Sequence, residues 1–195
     1  KRVRVLPPLV DPMFRPVEDR EGLRRELGLT GEPLVGMVST FQASRRHALA
    51  VEAFARLREK NAGARLVLVG DGGLVEPVRE QVRRLGLEEG VTFAGYQKGE
   101  AFARWLKALD DVWVLGLGND WSARAAAQAR ACGVRVVAVD EGNLPALADA
   151  LVEELTPEAV AAASEPGARA LVEHPGNARI AADVLALYEQ ARVER

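Results

Sequence analysis

One cysteine in 195 residues, Cys132, rules out a disulfide framework and a cysteine-based zinc site. Set in the apolar context ACGV, it reads as a small buried hydrophobe rather than a nucleophile. The two histidines, His47 and His174, are far apart, and neither has a metal-ligand companion at helical spacing, so no metal is expected. Neither sign of charge is in excess: 26 Lys and Arg against 28 Asp and Glu leave −2. That balance removes bulk-field attraction to nucleic acid or to an anionic membrane. No signal peptide and no apolar run of bilayer length is present, so a cytoplasmic, soluble domain is the expectation. The 48% hydrophobic content suffices for one well-formed core. The chain opens at Lys1 in mid-pattern, as a piece of something longer would.

What is present is alternation. PLVGMVST (33–40), RLVLVG (65–70), VTFAG (91–95), DVWVLGLG (111–118) and VRVVAV (134–139) read as strands. Between them HALAVEAFARLREKN (47–61), VEPVREQVRRLGL (75–87), EAFARWLKAL (100–109) and the stretch after Asn119 read as helices. Strands this apolar, separated by helices of this length, predict a parallel sheet covered on both faces. That is a doubly wound, Rossmann-like α/β layer, whose ligands gather beyond the carboxyl ends of the strands. From Asn143 onward the pattern predicts helix almost throughout, including ALADALVEEL and PEAVAAAS. The leading segment holds one strand, a proline-stiffened loop and a helix from about Asp19.

GNDWSARAAAQARACG (118–133) carries the functional question. A helix beginning at Asp120 brings Gln128, just over two turns on, near the same face. The pair is either a ligand-binding device or an ordinary N-cap and one surface residue of an Ala-rich helix.

Several segments in order resemble the C-terminal domain of GT-B-fold, family-4-type retaining glycosyltransferases. They are VLPPLVDPMFRP, RRELGL, VGMVSTF, RRHALAVEAFARL, RLVLVGDGGL, RRLGL, VTFAGY, DDVWVL and ACGVRVVAV. The resemblance spans roughly residues 3–147 and implies one half of a GT-B fold with a helical C-terminal region. It divides the chain into residues 1–17, a strand and linker from the end of a missing N-terminal domain, and 18–195, the nucleotide-sugar-binding domain. It implies a UDP- or GDP-linked sugar as substrate, no cofactor, and an acceptor brought by the missing half. Any contact with the inner face of the membrane would fall to that other half.

Carried over by position, the family's diphosphate-gripping Lys falls on Arg45, with Arg46 as a neighbour that can substitute, and its Arg on Thr40. Arg for Lys keeps the charge and adds a planar fork suited to phosphate. The family's two glutamates fall on Asp120, implied to orient the donor sugar, and Gln128, implied to hold the ribose. Asp120 loses a methylene, about 1.5 Å of reach. The resemblance makes Arg45 and Asp120 the catalytic candidates. The backbone N–H groups of Ser122, Ala123 and Arg124 are expected at the helix N-terminus, where open donors suit a phosphate or a sugar hydroxyl. Tyr96 and Gln97 fall where the family's chain passes the nucleobase. Trp105 and Trp113 read as core, GDGG (70–73) as a turn at the cleft wall, and Ala146 stands where an acidic residue is usual. Two other readings stay open: a degenerate, non-catalytic GT-B-like domain used in assembly or partner binding, and half of a GT-B-fold sugar-nucleotide epimerase.

Overall fold

The computed structural model describes residues 9–116, the backbone of 120–123, and residues 124–142, 144–165, 182 and 186. Six parallel strands form one sheet: β1 (Leu34–Val38), β2 (Arg65–Val69), β3 (Val91–Gly95), β4 (Asp111–Val114), β5 (Arg135–Val139) and β6 (Ala150–Val152), in the order β3-β2-β1-β4-β5-β6. The helices are α1 (Arg20–Glu26), α2 (His47–Lys60), α3 (Val75–Arg84), α4 (Gly99–Ala108), α5 (Asp120–Ala131) and α6 (Pro157–Ala163). α2 packs against α3 and α6, while α4 packs against α1 and α5, giving one helical layer on each face. Covered on both sides, β4 and β5 are buried at every position, which is why their sequences show apolar runs without alternation.

The chain winds outward from β1 through β2 to β3, then crosses back to place β4 on the other side of β1. The carboxyl ends of β1 and β4 therefore diverge, and the crevice between them is the topological switch point of the sheet.

Helix starts follow local chemistry. Asp19 caps α1, its carboxylate accepting from the Gly22 N–H at 2.7 Å. Thr156 caps α6, its hydroxyl oxygen accepting from the Ala159 N–H, with Pro157 at the first helical position. One expectation fails: ALADALVEEL is not a helix but contains β6. Asp149 decides it, its carboxylate accepting from the Val136 N–H at 2.8 Å while its own N–H donates to the Val136 carbonyl. Pairing with β5 outweighs the helix propensity of Ala, Leu and Glu. The expected strand within residues 1–8 and the last helix, apart from 182 and 186, lie outside the described residues.

Candidate functional site

A cavity of about 520 Å³ opens at the switch point, a size that suits a nucleotide-scale ligand. From the β1 side it is lined by Ser39, Thr40, Gln42 and Arg45, and from the β4 side by Leu115 and Gly116. Arg124, Ala125 and Gln128 on α5 form a third wall, and Met37, Val38, Phe102, Trp113 and Val114 an apolar one. Among the described residues the lining holds two arginines and no carboxylate, a polarity that favours an anion.

The loop after β1 is held from below. The Ser39 N–H donates to the Val69 carbonyl, the Phe41 N–H to the Asp71 carbonyl and the Leu74 N–H to the Phe41 carbonyl. Gly72, at φ 151°, allows this approach, since a Cβ there would sit 2.6 Å from the Phe41 carbonyl oxygen. GDGG is therefore a brace beneath the binding loop, not part of the cavity lining. The chain then makes a 3-10 turn (Ala43–Arg45), passes through Arg46 at φ 62°, ψ 40°, and enters α2.

The adjacent arginines have different duties. Arg45 is buried and lines the cavity. Arg46 donates to the Leu115 carbonyl at 2.7 Å and pairs with Glu141 at 3.2 Å, tying the loop to the segments after β4 and β5. It is a strut outside the lining, so it does not stand in for Arg45 at the cavity wall. Its left-handed backbone, which costs a non-glycine residue about 1 kcal/mol, is held by those side-chain bonds.

Thr40 and Gln128 line the cavity, and so does Arg124, of which the resemblance put forward the backbone N–H rather than the side chain. α5 begins at Asp120, so Ser122 lies in the open first turn and Gln128 on the cavity face. Arg124 sits where its N–H can reach the carbonyl of Asp120, four residues back, as in any helix interior. The side chains of Asp120, Trp121, Ser122 and Ala123 lie outside the described residues. Tyr96 and Gln97 are not brought to the cavity. They follow β3, the edge strand, with β2 intervening; Tyr96 is 72% exposed and the Gln97 amide donates to the Ala94 carbonyl. Trp113 is buried as expected, donating from Nε1 to the Ser164 hydroxyl at 2.7 Å, and is also part of the apolar wall. Burial pushes the Cys132 thiol up to about 12, which keeps it inert.

Sequence reasoning missed Ser39, Gln42, Phe102 and His47. The signal for the first was its place at the carboxyl end of the first strand. His47 is buried, stacks on Phe41 with ring centroids 4.0 Å apart, and shares a hydrogen bond of 3.2 Å between Nε2 and the Ser39 hydroxyl. Burial, with the nearby Arg45 guanidinium adding to it, holds its pKa down to about 4 from 6.5. The unfolded chain therefore takes up a proton between pH 6.5 and 4 that the folded chain refuses. Stability is lost as pH falls through that window, by about 3 kcal/mol in full. Urea unfolding between pH 7 and 4 will show this fall, and in His47→Gln the part due to this ring will be missing.

Among the described residues no helix is long and apolar enough to cross a membrane. Residues 19–180 match the family model described as glycosyl transferases group 1. A D-inositol 3-phosphate glycosyltransferase of Segniliparus rotundus is 34% identical over 169 residues, 81% of this chain and 37% of that protein. A mannosylfructose-phosphate synthase of Agrobacterium fabrum is 28% identical over 155 residues, 74% of this chain and 34% of that protein. The chain thus spans about a third of the length of the curated relatives it matches. Among solved structures, the C-terminal domain of a glycosyl transferase group 1 family protein (LpcC) from Francisella tularensis superposes with a TM-score of 0.69 at 21% identity. That match covers 78% of this chain and 84% of that one. Anabaena HepE in complex with UDP gives 0.72 at 21% identity, over 98% of this chain and 56% of that one. The fold is thereby the Rossmann-like half of a GT-B structure.

Proposed function

This chain belongs to the glycosyl transferases group 1 family, and from that premise we propose that it is the part of a retaining glycosyltransferase that binds the nucleotide-diphospho-sugar donor. The observation that carries the reading is the cavity at the β1/β4 switch point, with Arg124 and the buried Arg45 in its lining. Arg45 stabilises the diphosphate as negative charge gathers on it during departure from the sugar. The open first turn of α5 adds N–H donors on the same side. Gln128 meets the ribose through hydrogen bonds, and Asp120 orients the sugar. UDP and UDP-glucose are present in structures of HepE, a neighbour in fold, which supports a nucleotide sugar here.

In this reading residues 1–17 end a preceding domain and 18–195 form the donor domain. The acceptor site lies in the remainder of a longer protein, so the 195-residue chain alone binds donor without transferring sugar. Calorimetric titration with UDP and with GDP tests the proposal: saturable binding of one of them is expected, and binding of neither by the folded chain overturns it. The engagement of Arg46 by Leu115 and Glu141, together with uncharged Thr40, favours a second reading in which the domain has lost its donor and serves assembly. The same titration separates the two.

Gly116 offers a finer test. A Cβ there would lie 2.9 Å from Arg45 Cδ and 3.0 Å from the Ser44 carbonyl oxygen. Gly116→Ala will therefore displace Arg45 at a strain of about 1 kcal/mol. The expected result is a loss of about fivefold in diphosphate affinity with the circular dichroism unchanged.

A further inference from the structure

Ser39 and His47 form a buried-to-cavity pair whose proton has a preferred place. His47 is neutral above about pH 4, so its ring carries one N–H. Nδ1 is buried and makes no hydrogen bond among the described residues, whereas Nε2 lies 3.2 Å from the Ser39 Oγ. Nδ1 is also the ring nitrogen nearer the backbone, at the first residue of α2, where open N–H groups make the potential positive. A lone pair is favoured there over another N–H, which puts the proton on Nε2 and has it donated to the Ser39 oxygen. The Phe41 ring, stacked at 4.0 Å and 16°, keeps the imidazole in that plane. With its oxygen already accepting, the Ser39 hydroxyl keeps its own proton to donate, and Ser39 lines the cavity beside Arg45.

We propose that Ser39 donates a hydrogen bond to the phosphate oxygens of the bound nucleotide, and that His47 is a positioning residue that turns the Ser39 hydroxyl toward them. This rests on the donor-site reading above. It adds a neutral donor to a loop in which Thr40 brings no charge, and it makes the recognition specific to the phosphate end of the ligand.

The test is calorimetric titration of the 195-residue chain with UDP, GDP and the matching nucleosides, uridine and guanosine. Ser39→Ala is expected to weaken the diphosphate that binds by roughly tenfold and to leave its nucleoside unchanged. His47→Phe, which retains the stack on Phe41, should lose as much, and His47→Gln, whose amide can donate from near the Nε2 position, should recover most of it. Nitrogen-15 shifts of the His47 ring should show the proton on Nε2. If His47→Phe does not fold, Ser39→Ala and the ring shifts decide. Unchanged diphosphate affinity in Ser39→Ala, an equal loss for the nucleoside, or a proton on Nδ1 overturns the proposal. Failure of the unsubstituted chain to bind either diphosphate overturns the donor-site reading and this proposal together. Normal binding that Ser39→Ala leaves untouched overturns this proposal alone.

Discussion

Arg45→Ala will weaken binding of the nucleoside diphosphate by about 30-fold, the equivalent of roughly 2 kcal/mol for a charge-assisted contact in a partly dry site. The expectation follows from place as much as from charge. Arg45 closes the 3-10 turn that the β1 loop makes before α2, and it is buried against the segment containing Gly116. Its guanidinium is thus presented from a fixed backbone, so little side-chain freedom remains to be lost on binding. Arg45→Lys keeps the charge and loses the planar fork, and should recover about a third to a half of the lost free energy. Titrations of both variants with UDP and GDP, with the nucleosides as controls, check this. A loss that extends equally to the nucleoside would mean that Arg45 shapes the loop rather than meeting phosphate. Arg46→Ala makes the contrasting case, because its contacts are to Leu115 and Glu141.

The largest stability effect is expected at the opposite end of the sheet. Arg135 and Asp111 open β5 and β4, and their side chains are 5% and 6% exposed with Nη1 3.0 Å from Oδ2. Arg135 also donates from Nη2 to the Ala163 carbonyl at the end of α6, so the pair joins two strands to a helix. Removing either partner leaves a charge in a dry site, which costs about 3–5 kcal/mol. Arg135→Met should therefore lower the unfolding free energy by that much in urea titration. Adding Asp111→Leu should recover most of the loss, since an apolar pair of similar volume has no charge to strand. A single variant as stable as the parent would show that water reaches the pair. Nucleotide affinity should be unchanged in the double variant, because the pair sits at the amino ends of strands whose carboxyl ends bear the cavity.

The strands β1, β2, β4 and β5 were legible because burial on both faces writes itself as apolar runs, and the helix starts because Asp19 and Thr156 are ordinary caps. β6 was not legible, since Asp149 acts through two bonds to Val136, a residue distant in the pattern of local propensity. At the site, Arg45, Thr40 and Gln128 fall in the cavity lining because loop and helix positions adjoining a strand's carboxyl end carry over directly from the family pattern, whereas Arg124 enters it by its side chain and not by the open N–H that the pattern implies. Tyr96 and Gln97 also follow a strand, but the sequence does not say which strand lies at the edge. Only the order β3-β2-β1 shows that a whole strand separates them from the cavity. The division of labour between Arg45 and Arg46 was hidden for a similar reason. It depends on a left-handed turn at Arg46 and on Leu115 and Glu141, neither near in sequence.

The most direct test of the donor-site account is a map of backbone amide shifts in the labelled 195-residue chain as UDP or GDP is added. The account predicts saturable changes at Ser39–Arg45, Leu115–Gly116 and Arg124–Gln128, with Asp110, Asp111 and Arg135 unmoved. Changes confined to the carboxyl end of β3 around Tyr96 and Gln97, or no change at either nucleotide, would contradict it.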